Sequence, residues 1–316
     1  MSDPAVAEVR RAVRAALVPF RTGPVLVACS GGADSLALAA AAAGLRDDVH
    51  AAVVDHGLQD GSAERARDTA AQLAGMGAVA RVHRVDVTGP GGTEAAARRA
   101  RYAALRAARP HPDAPVLLGH TLDDQAETVL LGLGRGSGAR SIAGMRVWDD
   151  PWLRPLLGVR RATTRAACAA QGLPVWDDPH NVDPRFTRVR LRHEVLPLLE
   201  DVLAGGVAAA LARTAAQLRE DDDALTAVAD GLLVVADTGA GLALDPLATV
   251  PAALRRRVLR GWLHASGVTG LTAEHLHGAD ALAARGPDRT GVALPGGLDL
   301  VRARGRLVLR PAQWAR

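Results

Sequence analysis

The sequence predicts an α/β protein, a doubly wound parallel sheet followed by a smaller, mainly helical domain with a short β tail. Two observations carry this. Up to Gly136, four strand-then-helix units follow one another, and strands alternating with helices imply a parallel sheet covered on both faces. From about Gly205 the texture changes to long helical segments rich in alanine and leucine, then to short alternating stretches around glycines. The expected division is residues 1–204 for the α/β domain and 205–316 for the helical one.

The stretch "MSDPAVAEVRRAVRAALVPF" reads as a short amphipathic helix without a signal-peptide core. In "VLVACSGGADSLALAA", Val25 to Cys29 is an apolar run of the buried-strand type. Ser30 to Ser35 make the turn, and Leu36 onward is alanine-rich and helical. The second unit is "VHAAVVDH" (49–56) with "SAERARDTAAQLAGMG". The third is "AVARVHRVDV" (78–87) with "GTEAAARRARYAALRAARP". The fourth is "APVLLGH" (114–120) with "TLDDQAETVLLGLGRG". A fifth strand, "WLRPLLG" (152–158), precedes a helix from Thr163 to Gln171. Beyond residue 205, "GVAAALARTAAQLREDDDALTAVADGLL", "PAALRRRVLRGWLHASG" and "TAEHLHGADALAAR" are helical, and "TGVALPGGLDLVRARGRLVLR" suggests hairpin strands.

At 316 residues with 48% hydrophobic content the chain has room for about two domains. No apolar run is long enough to span a bilayer, so no membrane is expected. Cys29 and Cys168 stand far apart, with neither a C-x-x-C pair nor a disulfide framework, which reads as a cytoplasmic protein. All 38 basic residues are arginine, so a phosphate loop of the Walker type, which needs a lysine, is excluded. The net charge of +4 is a weak pointer to a polyanionic partner.

Ligands of such sheets bind beyond the carboxyl ends of the strands, and the chemistry-bearing residues fall there. A glycine pair opening a helix offers unpaired N–H groups and a positive dipole end, a cradle for phosphate. Gly31, Gly32 and Ala33 supply the backbone, and Ser30 and Ser35 add hydroxyls. Asp34 would repel a bare phosphate, so a divalent cation is expected between them. Asp55, His56, Gly119 and His120 end neighbouring strands. In "LDDQAET", Asp123, Asp124 and Glu127 share one side of a helix start. They either complement the helix dipole or bind magnesium, a cationic substrate, or both. "EAAARRARY" places Glu94, Arg98, Arg101 and Tyr102 at i, i+4, i+7 and i+8; surface pairing accounts for Glu94 and Arg98, less readily for Arg101 and the sole tyrosine. In "WDDPHNVDPRFTRVRLRHEVLPLLE", Arg188, Arg190 and Arg192 alternate near Phe186 and Arg185. This is either a solvated charged face or a footprint for phosphate backbone. Arg255, Arg256, Arg257 and Arg260 offer a second footprint, whereas His275 and His277 lack partners at zinc spacing.

The string "SGGADS" resembles the loop of the N-type ATP pyrophosphatases, which cleave ATP between its α and β phosphates. With "VVDHGL", "EAAARRARY", "GHTLDDQAETVLLGLGRGSGARSIAGM", "RPLL" and "DDPHNVDPRFTRVRLR", most of residues 22–200 resembles the tRNA(Ile)-lysidine synthases. The family usually has histidine where Thr121 stands, serine for His180 and asparagine for Val189. The C-terminal part resembles the family's helical domain loosely, without the additional terminal domain of longer members. The resemblance implies an adenine nucleotide alpha hydrolase-like fold, ATP and Mg2+. It also implies ligation of free L-lysine to C2 of the wobble cytidine of tRNA(Ile) with a CAU anticodon, through an adenylated cytidine. It implies that Ser30, Gly31, Gly32, Ala33, Asp34, Ser35, Asp55, His56 and Gly119 bind ATP, with Asp34 on the metal. Asp123, Asp124 and Glu127 would hold lysine and supply a base, Arg101 would stabilise the intermediate, and Arg98, Arg188, Arg190, Arg192 and Arg256 would meet tRNA. A homodimer is compatible with this reading. A tRNA thiolase on the same fold is disfavoured, because its chemistry needs cysteines in C-x-x-C arrangements or an iron–sulfur cluster.

Overall fold

The structure is a computed structural model and describes residues 3–90, 92–136, 138–285 and 291–312. The N-terminal helix α1 (Pro4–Ala16) starts at an Asp3 cap and turns Val9 and Val13 inward. The α/β region then runs β1 (Val25–Ala28), α2 (Ala33–Ala43), β2 (Val49–Asp55), α3 (Ser62–Gly75), β3 (Val79–Arg84), α4 (Gly92–Ala107), β4 (Val116–Leu117), α5 (Leu122–Arg135) and α6 (Ala139–Ile142). It continues with β5 (Trp148–Asp149), β6 (Trp152–Leu153), α7 (Arg161–Ala170), α8 (Thr187–Arg190), a π-helical turn (Leu191–Val195) and α9 (Leu196–Val202). The chain ends with α10 (Val207–Ala236), β7 (Leu242–Ala243), α11 (Ala252–Ala265), α12 (Ala273–Arg285), β8 (Gly291–Leu294), β9 (Leu298–Ala303) and β10 (Arg306–Pro311).

The first sheet has the order β3-β2-β1-β4-β6-β5, parallel except for the β5–β6 pair. Strand side chains alternate between its faces. Val25, Val27 and Leu117 join one core with residues of α1, α2, α3 and α7. Leu26, Val116 and Trp152 join Leu105 and Tyr102 of α4 on the other. The sheet is thus doubly wound, and its reversal point lies at the carboxyl ends of β1 and β4.

Three local differences from the sequence reading matter for the site. Helix α2 starts at Ala33 rather than Leu36, because extended Gly32 takes the N-cap position. Asp34 and Ser35 therefore stand in its first turn. The fourth and fifth strands contract to two residues each; beyond β6 comes Pro155, which has no N–H for a ladder. The strand β5, antiparallel on the edge, was not legible as a strand.

The chain divides into two compact units, Met1–Gly136 with Ser141–Ala215, and Ser137–Arg140 with Ala216–Arg316. The division falls within α10, and Ala208 packs with Ala126 and Leu196 of the first unit. In the second unit α11 and α12 cover a four-stranded antiparallel sheet, β7-β10-β9-β8, around Leu259, Leu263, Leu300 and Leu307. The tail is thus a real sheet, to which β7 adds a strand; Thr290 lies outside the described residues. Among the described residues no single helix is long and apolar enough to cross a membrane.

Candidate active site

The phosphate loop follows β1. Gly31 has φ +83°, and a Cβ there would meet the Thr69 hydroxyl at 2.8 Å, so this position requires glycine. The Gly31 carbonyl accepts from the Trp176 N–H at 3.0 Å, which pins the loop from outside. No side chain caps α2, leaving its first-turn N–H groups to an anion. The two serines differ. Ser35 is buried and works inside the loop: its hydroxyl donates to the Gly32 carbonyl at 2.9 Å and accepts from the Ser30 N–H at 3.2 Å. Gly119 acts by its lack of a side chain, since a Cβ would lie 3.0 Å from the backbone of Asp34 and Ser35.

The Asp34 carboxylate is engaged by α7. It accepts from the Thr164 hydroxyl and lies 3.4 Å from the Arg161 guanidinium. Burial pushes its carboxyl above the usual range, and the charge of Asp124 adds to this against Thr164 and Arg161. Arg161, which sequence reasoning passed over, is the hub of the site. Its guanidinium reaches Asp34, Asp124 at 2.6 Å and Glu127 at 3.4 Å, and its N–H donates to Asp123 at 2.8 Å. Its only sequence signal is a place in "VRRATT", shortly after the strand expected at 152–158.

Helix α5 holds the other carboxylates. Thr121 and Asp124 form a reciprocal capping box, so Asp124 closes the helix and binds Arg161 at once. Burial would raise the Asp124 carboxyl, but Arg161, the Thr121 N–H and His120 hold it below the usual range. Glu127 is fully buried and is met by Arg192 at 2.8 and 3.2 Å and by Arg188 at 3.7 Å. Asp123 also pairs with Arg160 at 3.0 Å.

The arginines of the suggested backbone footprint therefore part company. Arg188 and Arg192 turn toward Glu127, whereas Arg190 pairs with Glu194 at 2.8 Å on the surface. In the second unit Arg256 lies 3.5 Å from Asp280, beside the tighter pair of Arg255 with Asp280 at 2.6 Å.

At the end of β2, Asp55 is buried and accepts from the Gly57 N–H at 3.0 Å. Burial pushes its carboxyl up, but this N–H, Ser62, Arg84 and His56 bring it below the usual range. On α4, Arg98 stacks on Tyr102 at 4.7 Å and donates to its hydroxyl at 3.2 Å. Arg101 lies 5.5 Å from the same ring, and Tyr102 meets Trp152 edge-on at 4.6 Å.

Among the described residues no three His, Cys, Asp or Glu side chains converge tightly enough to hold a metal unaided. Magnesium needs no such cage where substrate phosphates and water complete its shell around one or two carboxylates. Asp34, in the first turn behind the phosphate loop, fits that arrangement.

Two family models match the chain, a PP-loop domain over residues 6–199 and a TilS substrate binding domain over residues 242–308. The tRNA(Ile)-lysidine synthase of Rhodococcus erythropolis (strain PR4) is 56% identical over 313 residues, 97% of this chain and 96% of that protein. That of Mycolicibacterium paratuberculosis is 61% identical over 275 residues, 85% of each. Among solved structures, a U34-tRNA thiolase from Methanococcus maripaludis with its 4Fe–4S cluster superposes with a TM-score of 0.56 at 18% identity, over 68% of this chain and 80% of that one. At that identity the likeness is one of fold.

Proposed function

This chain belongs to the tRNA(Ile)-lysidine synthase family, and on that premise we propose how its residues divide the reaction. It is an ATP-dependent ligase that joins lysine to the wobble cytidine of tRNA(Ile). In the family reaction the cytosine 2-oxo group attacks the α-phosphate of ATP, pyrophosphate leaves, and the ε-amine of lysine then displaces AMP from C2. One observation carries our assignment. Asp34 of the phosphate loop and Asp124 and Glu127 of α5 surround one guanidinium, so the nucleotide end and the acid cluster form a single site.

The first-turn N–H groups of α2 and Ser30 grip the leaving pyrophosphate, and Ser35 keeps the loop in shape. Asp34 would hold magnesium, which would neutralise charge on the departing phosphates. Asp55, His56 and Gly119 border the nucleotide, Gly119 by letting β4 close on α2. Asp123, Asp124 and Glu127 attract the dibasic amino acid, sharing their charge with Arg161 and Arg192. One of the site's carboxylates takes the ammonium proton before attack. Arg101 faces the adenylated intermediate, and Arg98, Arg188, Arg190, Arg192 and Arg256 serve the tRNA. Residues 1–204 carry the chemistry and 205–316 hold tRNA. A cytoplasmic location fits such a substrate.

The deciding experiment incubates the protein with ATP, magnesium, labelled lysine and tRNA(Ile) bearing a CAU anticodon. Label should appear on the tRNA in equal amount to AMP, and tRNA should drive pyrophosphate release without lysine. AMP formation with no label on tRNA would overturn the assignment.

A further inference from the structure

A cationic cluster under α4 is left over when the phosphate loop and the carboxylates have been accounted for. Arg98 and Arg101 come from α4, Arg154 directly follows β6, and His56 and His120 follow the ends of β2 and β4. His120 is faced by Arg154, Arg101 and Arg98, and on the acid side by Asp124; His56 is faced by Arg101 and Asp55. Both acids are engaged elsewhere, Asp124 by Arg161 and Thr121 and Asp55 by Gly57.

Four nitrogens of this cluster, His56 Nδ1, Arg101 Nε, His120 Nδ1 and Arg154 Nε, are buried without a hydrogen-bond partner. Arg154 is only 7% exposed, and its guanidinium donates to the Arg146 carbonyl at 2.9 Å through a different nitrogen. Leaving buried polar nitrogens unpaired is costly, and more so when they are charged, as the two guanidinium donors are. Crowded positive charge adds to the cost. Burial, with Arg154, Arg101 and Arg98, depresses His120 to about 4, and burial also lowers Arg101 and His56. Surplus donors and surplus positive charge at strand carboxyl ends are the complement of an oxyanion. Three guanidiniums exceed what one carboxylate satisfies.

We propose that Arg101, Arg154 and His120, with Arg98 and His56 at the margin, form a second anion subsite, separate from the phosphate loop, for a phosphate ester. The ester is either the α-phosphate of the adenylyl group or a tRNA phosphodiester beside the wobble cytidine. Naming these two rests on the ligase reading above. Arg154, carried by the string "RPLL", and His120, noted at a strand end, thereby acquire a binding role that the sequence reading did not give them.

The test reads the imidazole of His120 by NMR at pH 6 in the intact protein, its signal assigned by loss in His120→Gln. Without ligand the ring is neutral. A phosphate monoanion among the guanidiniums favours the protonated ring, so the signal should move toward the imidazolium position. Movement with AMP alone assigns the α-phosphate, and movement with tRNA alone assigns the phosphodiester. No movement with either overturns the proposal, as does movement with lysine alone, which would make the site one for a carboxylate. In Arg154→Gln the affinity for the active probe should fall by about tenfold to a hundredfold. Inorganic pyrophosphate, held by the loop, should bind that variant as it binds the wild type. If Arg154→Gln does not fold, the wild-type titration decides by itself. Lysidine formation with an unmoved His120 sinks the subsite alone; a moved His120 without lysidine formation sinks the ligase reading alone.

Discussion

The phosphate loop and the arginine–carboxylate cluster lie in one site but are built in opposite ways. The loop is local. Six consecutive residues carry its turn and its hydroxyls, and the left-handed φ of Gly31 and the staple from Ser35 to Gly32 lie within that string, with Thr69 and Trp176 touching it from elsewhere. The cluster is assembled from α2, α5, α7 and the α8–α9 segment, and its central Arg161 is 127 residues away from Asp34. A local device is set by backbone geometry and tolerates distant change. A long-range cluster of buried charge is set by mutual compensation, so removing one member leaves another uncompensated.

The sharpest break of this comparison is at Asp34, the residue both regions share. Asp34→Ala should lower AMP formation about 100-fold or more while the protein stays folded, measured as tRNA-driven pyrophosphate release beside a thermal melt. Near-normal release from well-folded protein would detach the loop from the chemistry. Its pH behaviour adds a sign. The folded state raises the Asp34 carboxyl above its usual range, so the fold prefers it neutral, and stability is lost as pH rises through that raised value. Asp34→Asn should therefore melt no lower than wild type at pH 7 without ligands, with any advantage shrinking in acid. Wild-type activity, which needs the ionised form, should fall as pH drops through the same raised value.

Second comes Arg161→Ala. Breaking a buried ion pair costs about 3–5 kcal/mol, and a unit of this size loses about 2–4 °C per kcal/mol. A melting temperature lowered by about 6–20 °C is expected, with partial recovery in Arg161→Lys. An unchanged melting temperature would mean that the carboxylates do not depend on their hub.

Glu127→Gln separates lysine from energy source. A buried charge-assisted contact is worth about 1.5–3 kcal/mol, so the KM for lysine should rise about tenfold to a hundredfold while cytidine adenylation persists. Equal loss of both steps with rescue by extra magnesium would show that the cluster serves the metal and not the amino acid.

The smallest effect is expected at the thiols. Burial holds Cys29 up and pushes Cys168 up to about 11, so both stay protonated and unreactive. Replacing both by alanine should leave activity within a few-fold of wild type. A stable but inactive double variant would reopen a sulfur-transfer reading.

The doubly wound sheet, the glycine turn between β1 and α2 and the acidic start of α5 were legible in the chain, because each depends on periodicity or on a contiguous string. The amphipathic α1 and the three helices of the second unit were legible for the same reason. The tertiary structure decided what depends on approach across the sheet. It moved Asp34 into the first turn of α2 and made Ser35 a staple instead of a free donor. It gave Gly119 its purpose, since a Cβ there would come within 3.0 Å of the Asp34 and Ser35 backbone, which no local pattern announces. It also turned Arg188 and Arg192 from an open charged run onto Glu127 and set Arg161 among four acids. Charge along a sequence says how much must be compensated; which partner compensates it is settled only when burial removes water as the alternative.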